Sequence, residues 1–134
     1  MARLSNSPTL YKIAYIFGTC SIAFGFNAIF NPVLALSFFE FDYNLQTGQT
    51  KRIVDTMLLV YGVRDVFMGF ATMIAAYHKQ PKILGLLIMA TASIAVADGA
   101  ICYYIHGTGH WNHLPLAPII FGVGAVFLGA LDSS

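Results

Sequence analysis

An all-α bundle of four membrane-spanning helices with both termini on the cytoplasmic side is the fold this sequence predicts, and three observations lead there. Hydrophobic residues make up 57% of the 134-residue chain and charged residues 10%, against about 25% charged in soluble domains. The mean hydropathy is +0.71. Four apolar stretches, at about residues 13–30, 53–77, 83–105 and 114–131, are long enough as helices to cross about 30 Å of hydrocarbon. Together they use most of the chain, so residues 1–134 are expected to form one integral-membrane domain. A helical bundle satisfies every backbone polar group in lipid, and the alternation a barrel needs is absent from the sequence.

The first stretch follows Arg3, as a signal peptide would, but its length and the lack of a small-x-small cleavage site predict a retained helix. Asn31-Pro32 ends it, because the residue before proline is pushed out of the helical region. Residues 33–42 are apolar and aromatic but too short to span, which suits a lid over one mouth of the bundle or a membrane-hugging loop. A polar turn around Gly48 leads to the second helix, and a tight turn around Pro81 joins the second helix to the third. A histidine- and glycine-rich turn from Gly107 to Pro115 precedes the fourth. Arg3, Lys12, Lys79 and Lys82 fall at one end and Lys51 and Arg52 at the other, so the positive-inside rule places the termini in the cytoplasm. Gly18, Gly25, Gly62, Gly69, Gly122 and Gly129 supply the small surfaces through which helices approach closely in lipid.

Arg64 and Asp65 stand near the middle of the second apolar stretch. Ionised side chains there cost roughly 2.5–3.5 kcal/mol each unless they face a partner or a wet cavity, so both are expected to point inward. Tyr61, Arg64, Asp65 and Met68 share one helical stripe, Thr91, Asp98 and Cys102 a second, and Cys20, Asn27 and Asn31 a third. Across the tight turn, residues of equal depth have numbers adding to about 159, which sets Asp98 level with Tyr61. Arg64 then lies only about 4.5 Å deeper, within reach of Asp98. Cys20 and Cys102 sit at different depths and are not expected to form a disulfide.

Gly62-Val63-Arg64-Asp65, Ala97-Asp98-Gly99 and a histidine just before the last helix carry a resemblance. The chain resembles a family of small four-helix integral-membrane domains found in fungi and bacteria, some fungal members of which sit among natural-product biosynthesis genes. Its architecture is similar to that of DoxX-like membrane proteins. The resemblance implies a membrane enzyme of specialised metabolism, with Arg64, Asp65, Asp98 and His113, or less favourably His110, at the family's polar positions. For a eukaryotic chain it implies the endoplasmic reticulum membrane.

Burial and a neighbouring arginine act on a carboxyl group in opposite directions, so a carboxyl in such a place can give and take a proton near neutrality. Arg64 can stabilise developing negative charge, while Asn27, Asn31 and Tyr61 can hydrogen-bond an oxygen function. Asp98, Asp65, Arg64 and His113 are therefore the candidate catalytic residues, with Asn27, Tyr61 and Asn31 binding substrate. The set fits a non-redox isomerase or cyclase acting on a lipophilic terpenoid or polyketide. Blander roles compete: the arginine and aspartates can lock helix packing, and the asparagines can cap or bridge helices. The other readings are a proton-coupled carrier, which one four-helix chain would reach as a homo-oligomer, and a non-catalytic partner of a membrane enzyme.

No haem, flavin or nucleotide motif is present, and no cofactor is expected. His106, His110 and His113 have spacings that zinc accepts, but no helix aligns them and no carboxylate is close in sequence, so no metal site is expected. A net charge of +1 without a basic cluster excludes nucleic acid and leaves membrane lipid as the expected surround.

Overall fold

A computed structural model describes residues 3–45 and 47–132, and among the described residues every regular element is helical. In chain order the helices are α1 (Pro8–Phe30), α2 (Pro32–Ser37), α3 (Gly48–Tyr77), α4 (Pro81–His106) and α5 (Ala117–Phe127). Of these, α1, α3 and α4 are long and apolar enough to cross a membrane. With 11 residues, α5 is only about 16 Å long at 1.5 Å per residue.

The boundaries differ from the sequence expectation for local reasons. Pro8 opens α1 at its first position, where its missing N–H costs nothing. The expected polar turn around Gly48 is absorbed into α3, whose early turns carry a Lys51–Asp55 ion pair of 3.1 Å, one helical turn apart. Gln46, the other end of that expected turn, lies outside the described residues. Residues 114–116, expected to open the last helix, instead form a 3₁₀ turn around Pro115. At the other end Gly129, at φ 94°, sends its N–H to Val126 O while Ala130 N–H reaches Ala125 O, which closes α5 earlier than expected. The same bond pattern closes α3, with Lys79 rather than glycine in the left-handed position, at φ 51°.

Two antiparallel pairs build the bundle. In the first, Gly25 faces Gly62 and Gly18 faces Gly69, so closely that a Cβ on Gly62 would stand 2.6 Å from Gly25 O. In the second, α4 meets α5 through Gly85, where an added Cβ would be 2.8 Å from Gly124 O. Gly122, expected at a seam, faces open space; Gly124, two positions on and turned by about 200°, packs instead. The pairs join at the end carrying the termini, where Leu10, Tyr11, Ala14, Leu84, Ile88 and Phe127 form one apolar cluster. There Ser5 N–H and Oγ both donate to the Asp132 carboxylate, at 3.0 and 2.6 Å. A smaller cluster of Ala28, Ala35, Leu36 and Leu58 closes the opposite end.

Candidate functional site

The expected equal depth of Tyr61 and Asp98 is present: the Tyr61 hydroxyl donates to Asp98 Oδ2 at 3.0 Å across α3 and α4. One turn along α3, Arg64 Nε donates to Asp65 Oδ1 at 3.0 Å, and Arg64 Nη2 lies 3.0 Å from the same oxygen and 3.7 Å from Asp98 Oδ2. The guanidinium also sits 4.0 Å from the centre of the Tyr61 ring, a cation–π contact. Asp98 is buried, while Arg64 and Asp65 are half-buried. Arg64 Nη2 is itself buried and, although ion-paired, has no hydrogen-bond geometry with any described atom. One guanidinium therefore serves two carboxyl groups, with a phenol as the third partner.

The segment expected as a lid or a loop forms α2 and a tight turn. Asn31 Oδ1 accepts from Leu34 N–H at 3.3 Å and caps α2, with Pro32 at its first position. The turn brings Phe39 edge-on to Tyr61, ring centres 5.4 Å apart, and against the His113 ring at 5.0 Å. From the opposite loop, Asn112 Nδ2 donates to Phe38 O and Glu40 Oε1, each at 3.2 Å, and His113 Nε2 lies 3.1 Å from Phe38 O. Glu40 holds the left-handed conformation, φ 62°, that lets the turn close. Phe39 is thus a roof over Tyr61, fastened by the loop before α5.

Four expected residues meet directly: Tyr61, Arg64, Asp65 and Asp98. His113 joins them only through Phe39. Asn31 is exposed and occupied as a cap, and Asn27, half-buried on α1, gives its carbonyl to Asn31 N–H. The third stripe therefore does not enter the cluster; Cys20 on it is exposed, and both cysteines are free. The other histidines disperse. His106 packs on Phe41 and His110 on Tyr103, and the buried His110 Nδ1 has no hydrogen-bond partner among the described residues. Among the described residues no three His, Cys, Asp or Glu side chains gather as a metal site would require.

Sequence reasoning missed Phe39, Asn112 and an apolar groove of about 240 Å³ that ends at Tyr61. The aromatic run from Phe38 to Phe41 was a signal for the roof, but nothing in it specified which ring turns inward.

Fold and site together define an all-helical protein, compatible with multi-pass membrane insertion, with an arginine–carboxylate–phenol cluster inside its helices. The family described as "Domain of unknown function (DUF4267)" matches residues 18–127, and the chain belongs to it. No curated protein and no solved structure matches the chain.

Proposed function

We propose that the protein is a membrane-embedded, non-redox isomerase or cyclase that moves a proton on a lipophilic, oxygen-bearing molecule of terpenoid or polyketide type. All four apolar segments lie in the bilayer in this reading, the termini face the cytoplasm, and the membrane of a eukaryotic host is that of the endoplasmic reticulum.

The observation that carries the reading is one guanidinium shared by two carboxyl groups, one of which accepts from a phenol that also lines an apolar groove. With both carboxyl groups ionised the trio carries one excess negative charge, and a single proton neutralises it. Low-dielectric surroundings favour neutrality, so one carboxyl can take a proton from substrate and return it elsewhere, while Arg64 and Tyr61 stabilise developing oxyanion charge. The short arm of Arg64 reaches its own neighbour on α3 and its arm to α4 is 3.7 Å, while the direct tie between α3 and α4 is the 3.0 Å Tyr61–Asp98 hydrogen bond.

The test is metabolite profiling by mass spectrometry and NMR in a host supplying candidate lipophilic intermediates, with wild type, Asp98→Asn or empty vector. A product of unchanged mass and altered skeleton, formed by wild type and lost in Asp98→Asn at equal protein level, is the expected result. Identical products with only the cell-to-medium distribution changed would replace catalysis with transport.

A further inference from the structure

We infer that Asp98 exchanges protons with one aqueous phase only, the one at the end opposite the termini, through a polar notch between α4 and the loop before α5. This access route rests on the membrane placement proposed above but not on the reaction.

The short last helix sets the depth. A Cβ on Gly85 would stand 2.8 Å from Gly124 O and one on Gly124 2.5 Å from Met89 Cγ, so residues of equal depth on antiparallel α4 and α5 have numbers adding to about 211. Ala117, where α5 begins, is then level with Ile94, and His113 with Asp98. Gly99 keeps the same register, since its added Cβ would lie 2.8 Å from Leu114 Cγ. Beyond Ile94, α4 runs on to His106, about 18 Å further at 1.5 Å per residue, with the loop rather than a helix beside it. Counted from Lys82 at the headgroups, Asp98 lies about 24 Å into a hydrocarbon layer about 30 Å thick. The loop therefore folds back below the far boundary of that layer. Irregular backbone is tolerated at such depth only where it is buried in protein or lines water. This loop is not buried: Asn112 is exposed, and so is Trp111, at 71%, a residue type that favours the headgroup boundary.

The inner side of the loop is polar. A Cβ built on Gly109 would meet Glu40 Cγ at 2.6 Å and Cys102 Cβ at 3.5 Å, so the backbone of this glycine is what separates the exposed Glu40 from the buried Cys102. Cys102 stands one helical turn from Asp98 on the same face of α4. Glu40, Cys102 and Asp98 thus descend as a file. Among the described residues, the buried side-chain nitrogens without a hydrogen-bond partner are Arg64 Nη2, beside Asp98, and His110 Nδ1, next to Gly109 in the chain. Buried polar atoms are satisfied by protein or by water, and water entering at the loop serves both. Towards the termini the route closes: the inner face of α4 carries the buried Ala92, Ile88 and Leu84, and the hydroxyls of Thr72 and Thr91 turn back to carbonyls of their own helices. A carboxyl so placed takes its proton from the compartment facing the loop and returns it there, not to the cytoplasm.

The test is cysteine blocking by silver ion, a thiol reagent small enough to follow water, on the full-length protein in sealed proteoliposomes sorted by orientation on an N-terminal tag. Protection from a maleimide added after denaturation reads the result. In Cys20→Ala, Cys102 should be blocked at least about tenfold faster from the loop side than from the terminus side. Asp98→Cys in a Cys20→Ala, Cys102→Ala background should behave alike. Ala92→Cys, nearer the termini on the inner face of α4, and Ile119→Cys, exposed on α5, should be blocked slowly from both sides. Fast blocking of Asp98→Cys from both sides would replace the notch with a through path and overturn the inference. So would an unblocked Cys102, a native residue whose result stands whether or not Asp98→Cys folds, and so would blocking that reaches Cys102 but not a folded Asp98→Cys. Fast blocking of Ile119→Cys would overturn the membrane placement itself. One-sided blocking with no product from wild type would remove the reaction alone, and product formation with Cys102 unblocked would remove the notch alone.

Discussion

Replacing Gly25 by alanine tests the seam that holds α3, and with it Tyr61 and Arg64, in place. An added Cβ would stand 2.5 Å from Gly62 O, 2.6 Å from Val66 Cγ2 and 2.8 Å from Val66 N. Two of these neighbours are backbone atoms, so no rotamer change relieves the clash. Carbon reaches comfortable contact at roughly 3.5 Å, so the helices must part by about 1 Å at this level, losing packing on both sides. Overpacking costs about 1–3 kcal/mol, and the intrinsic gain of alanine over glycine in a helix returns roughly 0.5–1 kcal/mol. A net loss of about 1–2 kcal/mol is expected. The control is Gly122→Ala, where the new methyl meets no atom within 4 Å and only the helix-propensity gain of up to about 1 kcal/mol remains. Detergent unfolding followed by circular dichroism should therefore move in opposite directions for the same chemical change. Equal midpoints for the two variants would refute the glycine seam. For the proposed acid–base reaction, a shift of about 1 Å beside Tyr61 should also lower turnover, since misplacement on that scale can cost on the order of 100-fold.

Other outcomes follow from the roof and the termini. Phe39→Ala removes aromatic contacts to Tyr61 and His113, worth roughly 0.5–1.5 kcal/mol each beyond burial; amide exchange at residues 38–41 should accelerate while the α1–α3 seam keeps its protection. Asn112→Ala, which deletes two hydrogen bonds to the same turn, should produce a weaker version of the same pattern, and an unchanged exchange profile would detach the roof from its fastening. Hydrogen bonds from the Ser5 hydroxyl and N–H hold the Asp132 carboxyl below its ordinary value. A depressed carboxylate stabilises the fold above its unfolded pKa of about 3.9 and loses that contribution as pH falls through its folded value. Protection factors at residues 4–6, corrected for intrinsic rates, should thus fall below about pH 4 in wild type and show no such step in Asp132→Asn.

The pairing of Tyr61 and Arg64 with Asp98 was legible because α-helices are stiff rods of fixed rise, so one short turn fixes relative depth along both. A different local rule, proline's restriction of its predecessor, located the end of α1 at Asn31-Pro32. Asn27 and Asn31 share a stripe, but phase alone does not say which stripe faces inward. Asn31 followed by proline also carried the signature of a helix cap, and that is its role. The short α2 escaped because six residues barely exceed a costly helical nucleus, so tertiary contacts rather than local periodicity decide its conformation. Gly124 was missed at the α4–α5 seam for a related reason. Two residues along a helix reverse the face, and a run with glycine at both 122 and 124 offers either. The joining of Ser5 to Asp132 spans the whole chain and has no local signal at all.

The distribution of packing sets the charged cluster apart from the two close helix seams. Glycine seams bring α1 against α3 and α4 against α5, backbone to backbone, whereas α3 and α4 meet more sparsely. The polar groups sit on the sparse interface, not on either seam. If their task were to hold helices together, removing them should open the bundle; yet the two pairs are already joined at the far end through Leu84, Ile88, Ala75 and Phe127. The two pairs are thus joined at the end bearing the termini by this apolar cluster and at the other end by the bonds of Asn112 and His113 to the turn after α2, with the polar cluster between them. In the proposed acid–base reading, Asp98 and Arg64 therefore act on the interface that the glycine seams leave least packed.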